Sequence, residues 1–130
     1  MARVLIADDR REDRDLLRIV LESMGHEVLE AEDGQRALEL ARSGDPDLVL
    51  SDILMPRLDG FSLCRELQKD PQLRHVPFAF VTATYGEPRY RKFAEDVGAV
   101  RVLLKPYEAA QMRRDIEALL AGRRREEPTL

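Results

Sequence analysis

Several large functional classes are excluded by what this sequence has little of. It holds one cysteine, Cys64, in 130 residues. No internal disulfide can form and no cysteine metal-ligand spacing exists, so the expected setting is a reducing cytoplasm. Cys64 itself reads as a small core residue on a helix. No apolar run approaches the roughly 20 residues needed to cross a bilayer, and a strand pattern starts at Arg3, leaving no space for a signal peptide. Membrane insertion is not expected. Positive charge is not in excess, since 21 Lys and Arg stand against 25 Asp and Glu for a net charge of -4. Neither that balance nor any helix-turn-helix pattern supports direct nucleic-acid binding by this segment. A glycine-rich phosphate loop is missing after the first apolar run, where Asp8-Asp9-Arg10-Arg11 stands instead. This argues against a nucleotide-binding flavodoxin relative. There is no internal repeat, low-complexity tract or second domain.

What is present is an alternation. Hydrophobic residues make up 44% and charged residues 35% of the chain, an ordinary globular balance, and the length suits one domain. Strand-like runs at Arg3 to Ala7, Glu27 to Ala31, Leu48 to Ser51, Phe78 to Thr82 and Val100 to Leu104 alternate with helical periods. Such alternation predicts an α/β fold, a parallel sheet covered by helices on both faces. The mixed run Glu27-Val28-Leu29-Glu30-Ala31 suits an edge strand, while the almost wholly apolar first, third and fourth runs suit central ones. The first helix carries Leu16, Leu17, Val20, Leu21 and Met24 at helical spacing and stops at Gly25. Further helices are expected at Gly34 to Ser43, Phe61 to Lys69, Pro88 to Val97 and Glu108 to Ala121. Phe61, Cys64 and Leu67 form the third stripe; Met112, Ile116, Leu119 and Leu120 form the last. Gly34 and Gly44 ask for nothing beyond turn roles. Residues 1–122 read as one domain, and 123–130, where periodicity ends, as a tail or the start of a linker.

Four of the apolar runs deliver reactive residues at the same end: Asp8 and Asp9, Asp52, Thr82 and Lys105. In an open parallel sheet the carboxyl ends of the strands share one crevice, so these residues can meet. Three carboxylates crowded together repel, and Mg2+, a hard cation with oxygen ligands, relieves that repulsion. The Lys105 ammonium then suits an arriving phosphoryl group. Taken singly, each residue has a plainer role: Asp8, Asp9 or Asp52 as a helix cap, Thr82 as a strand-end hydroxyl, Lys105 as a solvated charge.

Taken together, the residues resemble a known family. The markers in chain order are Asp8-Asp9, then Pro46-Asp47-Leu48-Val49-Leu50-Ser51-Asp52-Ile53-Leu54-Met55-Pro56 with Asp59-Gly60, then Thr82-Ala83, Gly98-Ala99 and Lys105-Pro106. From about Arg3 to Leu120 the chain resembles a receiver domain of the bacterial two-component response regulators, the flavodoxin-like family typified by the chemotaxis regulator. The resemblance implies a doubly wound five-stranded parallel sheet of order 2-1-3-4-5 with five helices. It also implies that Asp52 accepts phosphate from a phosphohistidine, making the chain a phosphoprotein of a phosphorelay. Asp8 and Asp9 would hold Mg2+ with the Asp52 carboxylate and the backbone carbonyl of Leu54, and Thr82 and Lys105 would contact the phosphoryl group. Implied partners are a sensor histidine kinase or phosphotransfer protein, a downstream effector domain or protein, and a second copy of the chain. No turnover beyond Mg2+-dependent self-phosphorylation and autodephosphorylation is implied. Pro56, Gly60 and Pro106 would shape backbone, with a cis peptide before Pro106.

The chain also departs from the family. Val102 stands where most receivers carry an inward-turning aromatic ring, so switching must use backbone or another side chain, with Tyr85 and Tyr90 as candidates. An extra residue lies around Thr84 to Pro88, where Thr82-Ala83-Thr84-Tyr85 resembles receivers attached to sensor kinases. A stand-alone regulator and a receiver within a larger sensor protein both fit, and the Arg-Glu tail leans to the second. In the family the positions two beyond the aspartate and two beyond the threonine border the path of hydrolytic water; here they are Leu54 and Thr84, which cannot orient it well, and the resemblance therefore implies slow loss of phosphate. Two rival functions use the same residues. One is a receiver fold kept only as a non-phosphorylated interaction module. The other is a haloacid-dehalogenase-like phosphatase, which needs a second aspartate two residues after its nucleophile, where this chain has Leu54.

Overall fold

Apolar alternation along the strands builds a core on each face of one sheet. The computed structural model describes residues 1–83 and 88–126. Strands β1 (Arg3–Ala7), β2 (Glu27–Ala31), β3 (Leu48–Ser51), β4 (Phe78–Thr82) and β5 (Arg101–Leu104) are joined by α1 (Arg11–Ser23), α2 (Gly34–Gly44), α3 (Gly60–Lys69) and α4 (Pro88–Val97), and α5 (Ala109–Glu126) follows β5. All pairings are parallel, in the order β2-β1-β3-β4-β5. This is the fold class the resemblance implied, with the mixed run Glu27–Ala31 at an edge.

Successive strand residues point to opposite faces. Leu5, Val49, Phe78 and Phe80 join the core beneath α2, α3 and α4, while Val4, Ile6, Leu48, Leu50, Ala79 and Val81 join the core shared with α1 and α5. Phe80 anchors the first of these. Its ring lies 5.1 Å from Phe78 and 5.2 Å from Phe61 of α3, and Phe61 lies 5.6 Å from Phe93 of α4. Each such pair contributes about 0.5–1.5 kcal/mol beyond its buried area.

Four sequence expectations need correction. Leu16 is not on the buried stripe of α1. It is 40% exposed, because Leu17, Val20 and Leu21 define the face toward the sheet and Leu16 sits about 100° from Leu17 around the helix. Strand β5 starts at Arg101, although Val100 still donates its N–H to Phe78 O at 2.9 Å. Helix α5 continues to Glu126, so the first residues of the expected tail extend the helix. Gly34 does more than turn the chain: a Cβ there would lie 1.9 Å from the backbone oxygen of Leu58. Thr84, Tyr85, the side chain of Tyr90 and residues 127–130 lie outside the described residues.

The close approach at Gly34 gives a direct expectation. Gly34→Ala must push the Leu58 backbone away and should destabilise the fold by about 1–3 kcal/mol. Gly44→Ala meets a side-chain end, Leu29 Cδ1 at 2.6 Å, and should cost less in the same denaturant titration. Cys64 gives a second expectation. Its thiol is fully buried and donates to Val97 O at 3.3 Å, and burial pushes its pKa from 9.0 up to about 12. The folded state therefore keeps a proton that the unfolded chain releases. Stability should fall as pH rises above about 9, by about 1.4 kcal/mol per unit until the folded value is reached. Melts from pH 8 to 10.5 check this, with the steep alkaline loss reduced in Cys64→Ala.

Candidate functional site

The sheet's hydrogen-bond ladder runs one residue past its strands and fixes the backbone of the site. Asp8 N donates to Ala31 O at 3.1 Å, Asp52 N to Ala7 O at 2.9 Å and Lys105 N to Thr82 O at 3.0 Å. Three residues distant in sequence thus leave strands β1, β3 and β5 of one sheet from registered positions. The chain leaves β1 toward β2 and later returns to β3 on the other side of β1. A crevice opens at such a switch point, and Asp8, Asp9 and Asp52 border it.

Lys105 Nζ donates to Asp8 Oδ2 at 2.6 Å, Asp13 Oδ2 at 2.9 Å and Asp52 Oδ2 at 3.2 Å. An ammonium has three donors, and all are used. Asp8 is 1% exposed, Asp52 9% and the Lys105 side chain 14%, so this ion cluster is shielded from water; Asp9 is exposed. The remaining oxygens are also occupied: Asp8 Oδ1 accepts from Arg10 N at 2.9 Å and Asp52 Oδ1 from Ile53 N at 2.7 Å. Burial pushes the Asp8 carboxyl above its ordinary pKa against the pull of Lys105, and the Asp52 charge adds to the rise. Burial alone would lower the Lys105 pKa, yet its hydrogen bonds to Asp8 and Asp13 and the charge of Asp52 raise it well above the ordinary value. One ammonium faces three carboxylates, so negative charge is in surplus here.

The plainer roles fail for most of these residues. Helix α1 begins after Arg10 without a side-chain cap, so neither Asp8 nor Asp9 caps it. Asp52 bonds its own neighbour, and α3 is capped by Asp59, which accepts from Ser62 N at 2.8 Å. Lys105 is no solvated charge. Thr82 is 0% exposed, a buried residue at the end of β4 whose backbone oxygen accepts from Lys105 N. Sequence reasoning missed Asp13. Its signal was an acid in the first turn of α1, a position ordinarily explained by the helix dipole.

Beyond Asp52 the loop is held at both ends. Gly60 N donates to Ile53 O at 2.7 Å, and a Cβ on Gly60 would lie 2.2 Å from Asp52 O. Arg57 takes a positive φ of 70° and reaches Asp33 at 3.7 Å. Leu54 is 53% exposed and offers no carboxylate for acid-base work two residues after Asp52. The Lys105-Pro106 peptide is cis. Val102 packs against the α3-side core as a partly buried residue.

Carboxylate oxygens of Asp8, Asp9 and Asp52 lie within 4.8 Å of one another. Oxygen donors at that spacing, with negative charge in surplus, fit a hard divalent cation such as Mg2+. Among the described residues Lys105 is the one ammonium in contact with Asp8 and Asp52.

Comparison with known proteins agrees with this geometry. The response regulator receiver domain family matches residues 4–117. PilH of Pseudomonas aeruginosa is 40% identical over 122 residues, which are 94% of this chain and 100% of that protein. Other curated relatives are matched over about half of their length or less. Among solved structures, the receiver domain of a signal transduction histidine kinase from Syntrophus aciditrophicus superposes with a TM-score of 0.88 at 31% identity, covering 100% of this chain and 98% of that one. The receiver domain of a sensor histidine kinase from Pseudomonas aeruginosa, with a magnesium ion coordinated in its active-site cleft, gives 0.85 at 27% identity, covering 92% of this chain and 98% of that one. With its sheet order, its acidic crevice and a matching relative spanned from end to end, the chain belongs to the response regulator receiver domains of two-component signalling.

Proposed function

We propose that Asp52 is the phosphoacceptor of this receiver and that a phosphohistidine on a sensor kinase or phosphotransfer protein is the donor. The observation that carries this reading is the convergence of Asp52, Asp8 and Lys105 on one shielded point at the sheet's carboxyl edge. A carboxylate oxygen of Asp52 attacks phosphorus, the P–N bond to the donor imidazole breaks, and an acyl phosphate forms. Phosphoryl transfer is governed mostly by positioning and by neutralising charge on the transferred oxygens. Lys105 supplies one positive charge at that place. A Mg2+ ion held by Asp8, Asp9, Asp52 and the Leu54 carbonyl supplies two more when bound. The Thr82 hydroxyl then hydrogen-bonds a phosphoryl oxygen.

The domain acts as a switch, and complete switching from 1:99 to 99:1 takes about 5.5 kcal/mol of differential stabilisation. Val102 removes an aromatic rotor from β5, so the change passes through the Thr84 to Pro88 loop and α4. We place the switch in the cytoplasm, with residues 1–122 as the receiver, the rest as tail or linker, and an effector domain, a separate effector protein or a second copy as recipient. The exposed Leu54 weighs against a phosphatase of the haloacid-dehalogenase kind.

Incubation with acetyl phosphate and Mg2+ should add one phosphoryl group by intact mass, and Asp52→Asn should abolish it. Full labelling of that variant would overturn the assignment. Leu54 bears on the lifetime of the product, since hydrolysis needs a water in line behind phosphorus and an exposed leucine cannot orient one. Leu54→Asn should shorten the acyl-phosphate half-life by several-fold or more, on the order of one positioned hydrogen bond in the transition state. Time-resolved mass spectra after removal of the donor check this, and an equal or longer half-life in the variant would refute it.

A further inference from the structure

Asp13 lies closer to the Lys105 ammonium than Asp52 does, at 2.9 Å against 3.2 Å. The three donors of the ammonium are divided among Asp8, Asp13 and Asp52. A phosphoryl group on Asp52 brings further anionic oxygens, and Lys105 can serve them only by loosening a present partner. Asp8 is a poor one to release, because at 1% exposure it would lose its counter-charge with no water to replace it. Asp13 differs. Its side chain is 29% exposed and Arg10 Nε stands 3.6 Å from the same oxygen, so on losing Lys105 it remains solvated and paired. The shallow pocket that Asp13 and Lys105 share is otherwise lined by Leu16, Leu17, Val81, Pro106, Tyr107 and Met112. Asp13 is therefore the one carboxylate lining it among the described residues.

We propose that Asp13 is a positioning residue that holds the Lys105 ammonium toward α1 in the resting domain and competes for it with the phosphoryl oxygens on Asp52. This rests on Asp52 being the phosphoacceptor. Removing Asp13 frees the lysine, so the phosphorylated state gains relative to the resting one.

The test is calorimetric titration of the full chain with beryllofluoride, an acyl-phosphate mimic, at saturating Mg2+. Asp13→Ala and the isosteric Asp13→Asn should bind it more tightly than wild type, by about fivefold or more for coupling of this kind. Asp13→Glu, which keeps the carboxylate, should stay near wild type. Glu12→Ala removes an exposed acid from the same helical turn and should leave the affinity unchanged. Damage to the fold would weaken binding rather than tighten it. Unchanged or weaker binding in both Asp13→Ala and Asp13→Asn overturns the proposal, as does equal tightening in Glu12→Ala, which would mark a general charge effect. A wild-type protein that binds no beryllofluoride overturns the phosphoacceptor reading itself, a result distinguishable from the others.

Discussion

A single ammonium facing three carboxylates is the interaction around which this molecule is organised. Bringing Asp8 and Asp52 together at low exposure, with Asp13 beside them, is unfavourable without a counter-charge, since removing ions from water costs several kcal/mol each. Lys105 supplies it, and it can do so because β5 ends beside β4 in register with the other strands. The sheet order and the apolar cores on both faces act to hold that nitrogen in place. One positive charge does not balance three carboxylates, and burial, with a smaller push from the Asp52 charge, raises the Asp8 carboxyl. The surplus of negative charge that opposes folding is also what gives the crevice its capacity for a divalent cation.

Much of this was legible in the sequence because the central strands β1, β3 and β4 are short, apolar and buried on both faces. Val4-Leu5-Ile6-Ala7 and Phe78-Ala79-Phe80-Val81 have no polar position to confuse the reading, so their ends, and the reactive residues placed there, were fixed to within a residue. The mixed pattern of Glu27–Ala31 showed its edge placement for the same reason. Asp8, Asp9 and Asp52 were readable as a group because parallel strands present their carboxyl ends on one side.

What escaped the sequence depends on contacts across distance. Leu16 has the spacing of a core residue but lies too far around α1 to reach the sheet. Nothing local to Gly34 announces that the backbone of Leu58 will come within bond-like distance of where its Cβ would stand. Asp13 looked like an ordinary first-turn acid, and only the placement of Lys105, 92 residues away in sequence, gives it a partner. The end of α5 was misplaced because loss of an apolar stripe signals loss of burial, while helical hydrogen bonding can continue in solvent.

The two glycine contacts on either side of the loop after Asp52 have a mechanical consequence. Gly34 admits the Leu58 carbonyl and Gly60 admits the Asp52 carbonyl, each at a spacing that leaves no slack. The loop is a braced beam, clamped to α2 at one point and to the start of α3 at another, with Arg57 tied across to Asp33. A braced beam yields little when loaded. The segment from Asp52 to Gly60 therefore cannot shift toward α2 or toward the start of α3 without first opening these backbone contacts.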